Sequence, residues 1–89
     1  MMSDKFDKLK AQLELQEWPM VYLFKFIMPN DSEVIAKVTA LFDDGAELKY
    51  SNSKTGKYVS ISVKELMLDV DSVIEKYVNA SKYKGVISL

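Results

Sequence analysis

The chain has 89 residues, 48% hydrophobic and 28% charged, with twelve basic side chains against thirteen acidic ones and a net charge of −1. That is the length of one domain with apolar content for a single core, and no global field draws it to nucleic acid or an acidic membrane. Cysteine, histidine and arginine are all absent. Thiolate metal sites, disulfides and thiol nucleophiles are thereby excluded, the commonest general base is missing, and no guanidinium fork exists to grip a phosphate.

The first predicted element is a short amphipathic helix from Ser3 to about Gln16, with Phe6, Leu9 and Leu13 at helical spacing, Ser3 as N-cap and Asp4 in the first turn. Its apolar stripe is narrow, so the helix needs a surface to lie on. Trp18-Pro19 ends it, because the residue before a proline is pushed out of helical torsion angles. Residues 1–17 are read as an N-terminal helical extension and residues 18–89 as the domain proper. The start of the chain lacks the long apolar segment of a signal peptide, and the longest apolar run, Met20 to Phe24, is too short to span a bilayer. A cytoplasmic location is expected.

From Trp18 to Met28 the chain is apolar at both phases of a two-residue period. Tyr22, Phe24, Phe26 and Met28 fall on one side, and Val21, Leu23, Lys25 and Ile27 on the other. Such a segment is read as a central strand. Pro29 closes it, and Asn30 to Glu33 reads as a helix start with Asn30 as N-cap and Glu33 completing a capping box. That helix is expected to run to about Asp43 with Val34, Ile35, Val38, Leu41 and Phe42 buried, Gly45 supplying a left-handed stop. Two alternating strands follow, Ala46–Ser51 and Tyr58–Val63, joined by the turn Ser53-Lys54-Thr55-Gly56-Lys57 as a β-hairpin. A last helix starts at Asp69, with Val70, Val73, Ile74, Tyr77 and Val78 as its stripe. Gly85 to Leu89 forms a short closing strand.

After the N-terminal helix the order is β-α-β-β-α-β. The expected fold is α+β, a ferredoxin-like sandwich in which a four-stranded antiparallel sheet carries two helices on one face and its first and third strands are central. The other face is left open. Phe24's side of the first strand is assigned to the helices, so Val21, Leu23, Lys25 and Ile27 lie on the open face with Tyr58, Ser60 and Ser62, joined by Glu47, Lys49 and Ser51 if Leu48 and Tyr50 point inward, and with Ser88 as a further candidate. Three covers are weighed for it: the N-terminal helix folding Phe6, Leu9 and Leu13 onto Val21, Leu23 and Ile27; a second copy of the chain; or a partner or ligand.

Lys25, Ser60 and Ser62 are a candidate anion-recognition cluster, against the plainer reading in which the Lys25 ammonium extends past apolar neighbours into water. Lys54, Lys57 and Tyr58 in the hairpin are the second candidate group. Their turn lacks the leading glycine and the strand-to-helix setting of a phosphate loop, and the strand after it lacks the stacking aromatics of an RNA-binding sheet. No nucleic acid, membrane, metal or cofactor is expected as a partner. The paired carboxylates at Asp43-Asp44 and Asp69–Asp71 are explained by helix ends.

Several stretches together, Trp18-Pro19, Tyr22–Ile27 with Pro29, Ser53-Lys54 through Gly56–Tyr58 with Ser60–Ser62, Val73–Tyr77 and Gly85–Leu89, resemble the YbeD-like family of small bacterial proteins of unknown function, in its Bacteroidetes-type branch. The resemblance implies a ferredoxin-like fold similar to the regulatory ACT domains and no established enzymatic activity. Thr55, inserted before Gly56, departs from the family's turn, and the loop Met28–Ser32 lacks the glycine with which ACT domains admit an amino acid. The functional expectation is a non-enzymatic regulatory or protein-interaction module acting through the open sheet face. The alternative is an ACT-like sensor of a small anionic metabolite, in the form of a homodimer, with its ligand at Lys25, Ser60 and Ser62 or at the helix start by Asn30.

Overall fold

A computed structural model describes residues 4–89 of the chain. It is α+β: α1 (Asp4–Leu13), β1 (Met20–Pro29), α2 (Ser32–Thr39), β2 (Glu47–Asn52), β3 (Tyr58–Met67), α3 (Val70–Ala80) and β4 (Ile87–Ser88). The strands form one antiparallel sheet in the order β2-β3-β1-β4, so β1 and β3 are central. The expected Ser3 cap lies outside the described residues.

The two phases of β1 take the two faces of the sheet as its pattern requires. Phe24, Phe26 and Met28 are fully buried together with Ile61 and Val63 of β3 and Val38 and Val73 of the helices. Each such side chain contributes ~1.5–3 kcal/mol relative to leaving it in water. Val21, Leu23 and Lys25 point the other way and are exposed.

Local chemistry sets several boundaries away from the positions the sequence suggests. Asp31, not Asn30, caps α2, its carboxylate accepting from the Glu33 N–H at 2.9 Å. Asn30 is engaged elsewhere: its side chain donates to the Gly56 carbonyl and its N–H to the Lys57 carbonyl, which stitches the β1–α2 loop to the hairpin turn. The regular helix ends at Thr39, with single-turn bonds carrying the chain on to Phe42. Gly45 is not the left-handed stop; the glycines with positive φ are Gly56 in the hairpin and Gly85 before β4. Asp69 caps α3 as expected, accepting from the Ser72 N–H at 2.8 Å; hydrogen bonding by the Ser72 side chain foremost, and by that N–H, holds its carboxyl below the usual range.

β3 runs four residues past Val63, and there its binary pattern inverts: Glu65 points into the helix side and Leu66 out. The inward carboxylate is tolerated because it is partnered. The Asp43 N–H donates to it at 3.0 Å, and the Lys76 ammonium lies 3.9 Å away while donating to the Leu41 carbonyl and sitting over the Phe42 ring.

The N-terminal helix does not cover the open face. Its stripe turns to the already covered side, where Phe6 stacks on Tyr77 of α3 with ring centroids 6.1 Å apart and Leu13 is buried in the common core. Lys10 adds an exposed ion pair to Asp71 at 3.7 Å, a contact of little weight. Trp18 fixes the exit, donating its indole N–H to the Leu13 carbonyl at 2.9 Å and facing the Tyr22 ring. The reason is geometric: the Tyr77 region offers an apolar surface flanking a helix, whereas reaching Val21 and Leu23 would require the chain to pass round the sheet within the few residues between Leu13 and β1.

Two outcomes follow from the buried polar contacts. Tyr77 and Tyr22 share a hydroxyl–hydroxyl hydrogen bond of 3.0 Å, and burial foremost, with Tyr22 adding to it, holds the Tyr77 phenol well above its ordinary range. A raised phenol keeps its contribution below the unfolded value of about 10 and loses it as pH climbs beyond, toward the folded value. Tyr77→Phe should therefore cost about 1 kcal/mol at neutral pH and flatten the fall of stability above about pH 10, as read from urea denaturation at several pH values. Lys76→Met should cost ~2–3 kcal/mol by stranding the Glu65 carboxylate, somewhat less than for a fully enclosed pair. Adding Glu65→Leu should restore at least half of that loss in the same measurement.

Candidate functional site

The open face is built by alternation alone. Register pairs Val21 with Leu66, Leu23 with Lys64, Lys25 with Ser62 and Ile27 with Ser60. On β2, Glu47 stands beside Lys64, Lys49 beside Ser62 and Ser51 beside Ser60. On the far side Ile87 pairs with Ile27, and Leu89 donates its N–H to the Lys25 carbonyl at 2.9 Å. Gly85, at φ +85° and where any Cβ would come within 2.8 Å of the Pro29 ring, makes the turn that lets this last segment reach β1.

Two zones result. Val21, Leu23, Ile27, Leu66, Ile87 and Leu89 form an apolar zone along β1 and its neighbours; Val21, Leu66, Ile87 and Leu89 are each more than half exposed and Leu23 is 49% exposed. Beside it Lys49, Ser62 and Lys25 make one row across three strands, so the two lysines spring from backbone positions about 10 Å apart. Lys64 is in the adjoining row, flanked by Leu23 and Glu47.

Of the residues singled out in the sequence, Lys25, Tyr58, Ser60 and Ser62 stand on this face, with Ser62 directly opposite Lys25 and Ser60 one row further on. Tyr58 is at the end of the face, opposite Pro29 and half-exposed. Lys54 and Lys57 are exposed in the hairpin loop beyond it. That loop is held by the Ser53 N–H to the Tyr58 carbonyl, the Tyr58 N–H to the Ser53 hydroxyl, and the two Asn30 bonds. Ser88 belongs to the other side, since it pairs with Phe26. Tyr50, expected to point inward, shares the phase of Ile61 but is exposed at the sheet edge.

Sequence reasoning gave Lys25 a special place and missed that Lys64 and Leu66 share its face. The strand was read as ending at Val63, and only its continuation to Met67 carries both onto the open side. Among the described residues the ion pairs are Lys10–Asp71, Lys37–Glu33 and Lys76–Glu65; the ammonium groups of Lys25, Lys49 and Lys64 take part in none of them.

Chemically, the face offers exposed aliphatic side chains and ammonium groups for binding. Three of the surface clefts lie around it, two touching its margin at Leu66 and Ile87, and Lys25, Ser60 and Ser62 line none of the three. One, of about 220 Å³, opens beside Glu65 and Lys76 with Ser72 and Glu75 on its wall. Its lysine donates to the Leu41 carbonyl and one Glu65 oxygen accepts from the Asp43 N–H, while the other, Oε1, is buried without a hydrogen bond, 3.9 Å from the Lys76 ammonium. Among the described residues no helix is long and apolar enough to cross a membrane, and no group of three carboxylates is placed to hold a metal ion.

No curated protein and no solved structure matches the chain. A family model does, described as "Protein of unknown function (DUF493)" and aligned with residues 13–88. The aligned segment begins at Leu13, the last residue of α1, and takes in the whole sheet with α2 and α3. On that match the chain belongs to the DUF493 family.

Proposed function

We propose that the protein is a non-enzymatic interaction module with regulatory action, of the YbeD-like kind and with a ferredoxin-like arrangement, that works in the cytoplasm by docking a partner on its open sheet face. The strand order β2-β3-β1-β4, with β1 and β3 central, supports the ferredoxin-like reading. One observation carries the function: six aliphatic side chains are gathered on one sheet face, Val21, Leu23, Leu66, Ile87 and Leu89 about half exposed or more and Ile27 partly so, while the helices cover the opposite face. Bringing each from its partly exposed state to burial would contribute ~1 kcal/mol. The ~6 kcal/mol total lies within the range that association itself costs, so aliphatic contact alone gives a weak complex at best. The lysines beside it would add encounter rate and choice of partner.

Catalysis has little to work with on this face. Lys25 is exposed, and Ser62 has beside it only the amines of Lys25 and Lys49, both open to water. An ACT-like sensor would need an enclosed place for its anion, and α2 begins at Asp31, whose carboxylate already occupies the helix start.

The measurement is affinity capture from the native cell lysate with wild-type, Lys25→Glu and Leu23→Glu chains as bait, read by mass spectrometry for proteins and small molecules. A protein partner held by the wild type should be lost with Leu23→Glu and weakened with Lys25→Glu, both variants keeping their stability to within about 0.5 kcal/mol because both positions are exposed. Equal recovery with all three baits would remove the open face from the function.

A further inference from the structure

We infer that the partner seated on the open face is an acidic amphipathic helix, a choice that rests on the docking reading just given. The charge distribution points to it. The open face carries three lysines, Lys25, Lys49 and Lys64, against the single carboxylate of Glu47, while the rest of the chain holds nine lysines against twelve acidic residues. A basic face has thus been placed on an acidic protein. Lys54 and Lys57, exposed in the hairpin loop beyond Tyr58, lengthen the basic side at one end.

This asymmetry decides between occupants. A second copy docked face to face would bring six lysines together against two glutamates. An anionic bilayer would meet the three lysines, but the surrounding chain is net negative and the only aromatic on the face is Tyr58, at its end. A helix with apolar residues on one side and carboxylates flanking them satisfies both zones at once. From Val21 to Ile27 the apolar line is ~20 Å long, the length of a helix of about 14 residues. A helix is also about two strand spacings wide, so one lying along β1 covers Val21, Leu23, Leu66, Ile27 and Ile87, with Lys64 at its flank and the long Lys25 side chain, on β1 itself, reaching out from beneath to that flank. Helix against sheet is one of the stable layer arrangements, and the covered side of this sheet already packs helices so.

The test uses three synthetic peptides of about 14 residues with one shared leucine stripe at helical spacing and polar positions that are all Glu, all Gln or all Lys. Each is titrated into the isotopically labelled full chain and followed by backbone amide NMR. The Glu peptide should bind at least about tenfold more tightly than the Lys peptide, with Gln between. The shifts should concentrate on residues 21–27 and 60–66. Raising salt from about 50 mM to about 500 mM should narrow the spread, and Lys25→Glu with Lys64→Glu should reverse the order. Equal shifts of the open-face amides by all three peptides would overturn the acidic partner while leaving the docking face standing. Perturbation away from this face would overturn both. A concentration-dependent dimer abolished by Leu23→Glu, or binding to phosphatidylglycerol vesicles with the Glu peptide excluded, would replace the acidic helix with a second copy or a membrane.

Discussion

Three elements on the helix side of the sheet, α1, β1 and α3, meet at the ring of Tyr77. It meets Phe24 and Phe26 of β1 at 5.4 and 6.0 Å between centroids, Tyr22 nearly edge-on at 6.3 Å and Phe6 of α1 in a stack. Through those contacts one side chain ties the last long helix to the central strand and the first helix to both. Aromatic pairs of this kind add ~0.5–1.5 kcal/mol each beyond the area they bury. The cluster explains why the N-terminal helix goes where it does: the strongest apolar anchor in the fold lies on α3 and not on the bare face of the sheet. The open face is thus a consequence of where the aromatics were spent.

The same economy separates the two faces of β1. Its inward residues are large, flat and interlocked, and they leave no vacancy for a ligand. The outward ones are branched aliphatics with a lysine among them, Val21, Leu23, Lys25 and Ile27, a set that neither seals a core nor dissolves freely in water. An edge-to-edge partner would use the backbone of β2 or β4, but the exposed side chains are concentrated on the flat of the sheet. Recognition by side chains on a pleated surface favours a helix, whose own side chains can interleave with the strand rows.

Much of this was legible in the sequence, and the failures have physical causes. The two-sided pattern of β1 announced a central strand, the assignment of its aromatic phase to the helices holds, and Asp69 was recognised as a helix start. The length of β3 was not legible. Lys64-Glu65-Leu66 breaks the alternation because a carboxylate points in and a leucine points out, and only the long-range partners Asp43 and Lys76 make the inward carboxylate tolerable. Local periodicity carries no information about an ion pair between residues 65 and 76 across two elements. The cap of α2 was misplaced by one residue for a similar reason. Asn30 and Asp31 are both good caps, and the choice is made by the hairpin loop, which occupies Asn30 through Gly56 and Lys57.

The inversion at Glu65 also links the fold to the candidate site. Had β3 kept its alternation, an apolar residue would stand at position 65 and a polar one at 66, and the open face would lose the leucine that lies beside Val21. Instead the buried Glu65–Lys76 pair anchors the end of β3 to α3, while Leu66 extends the apolar zone outward by a full strand. A buried ion pair is weak evidence for stability, since an apolar pair of similar volume often serves as well. Here the pair fixes the phase of β3 at the point where two neighbouring residues would otherwise prefer to exchange sides, because a one-residue slip would bury Lys64 and Leu66 and expel a carboxylate already bonded to the Asp43 N–H. The phase that places Lys64 and Leu66 in water next to Leu23 and Val21 is therefore held from the opposite side of the sheet.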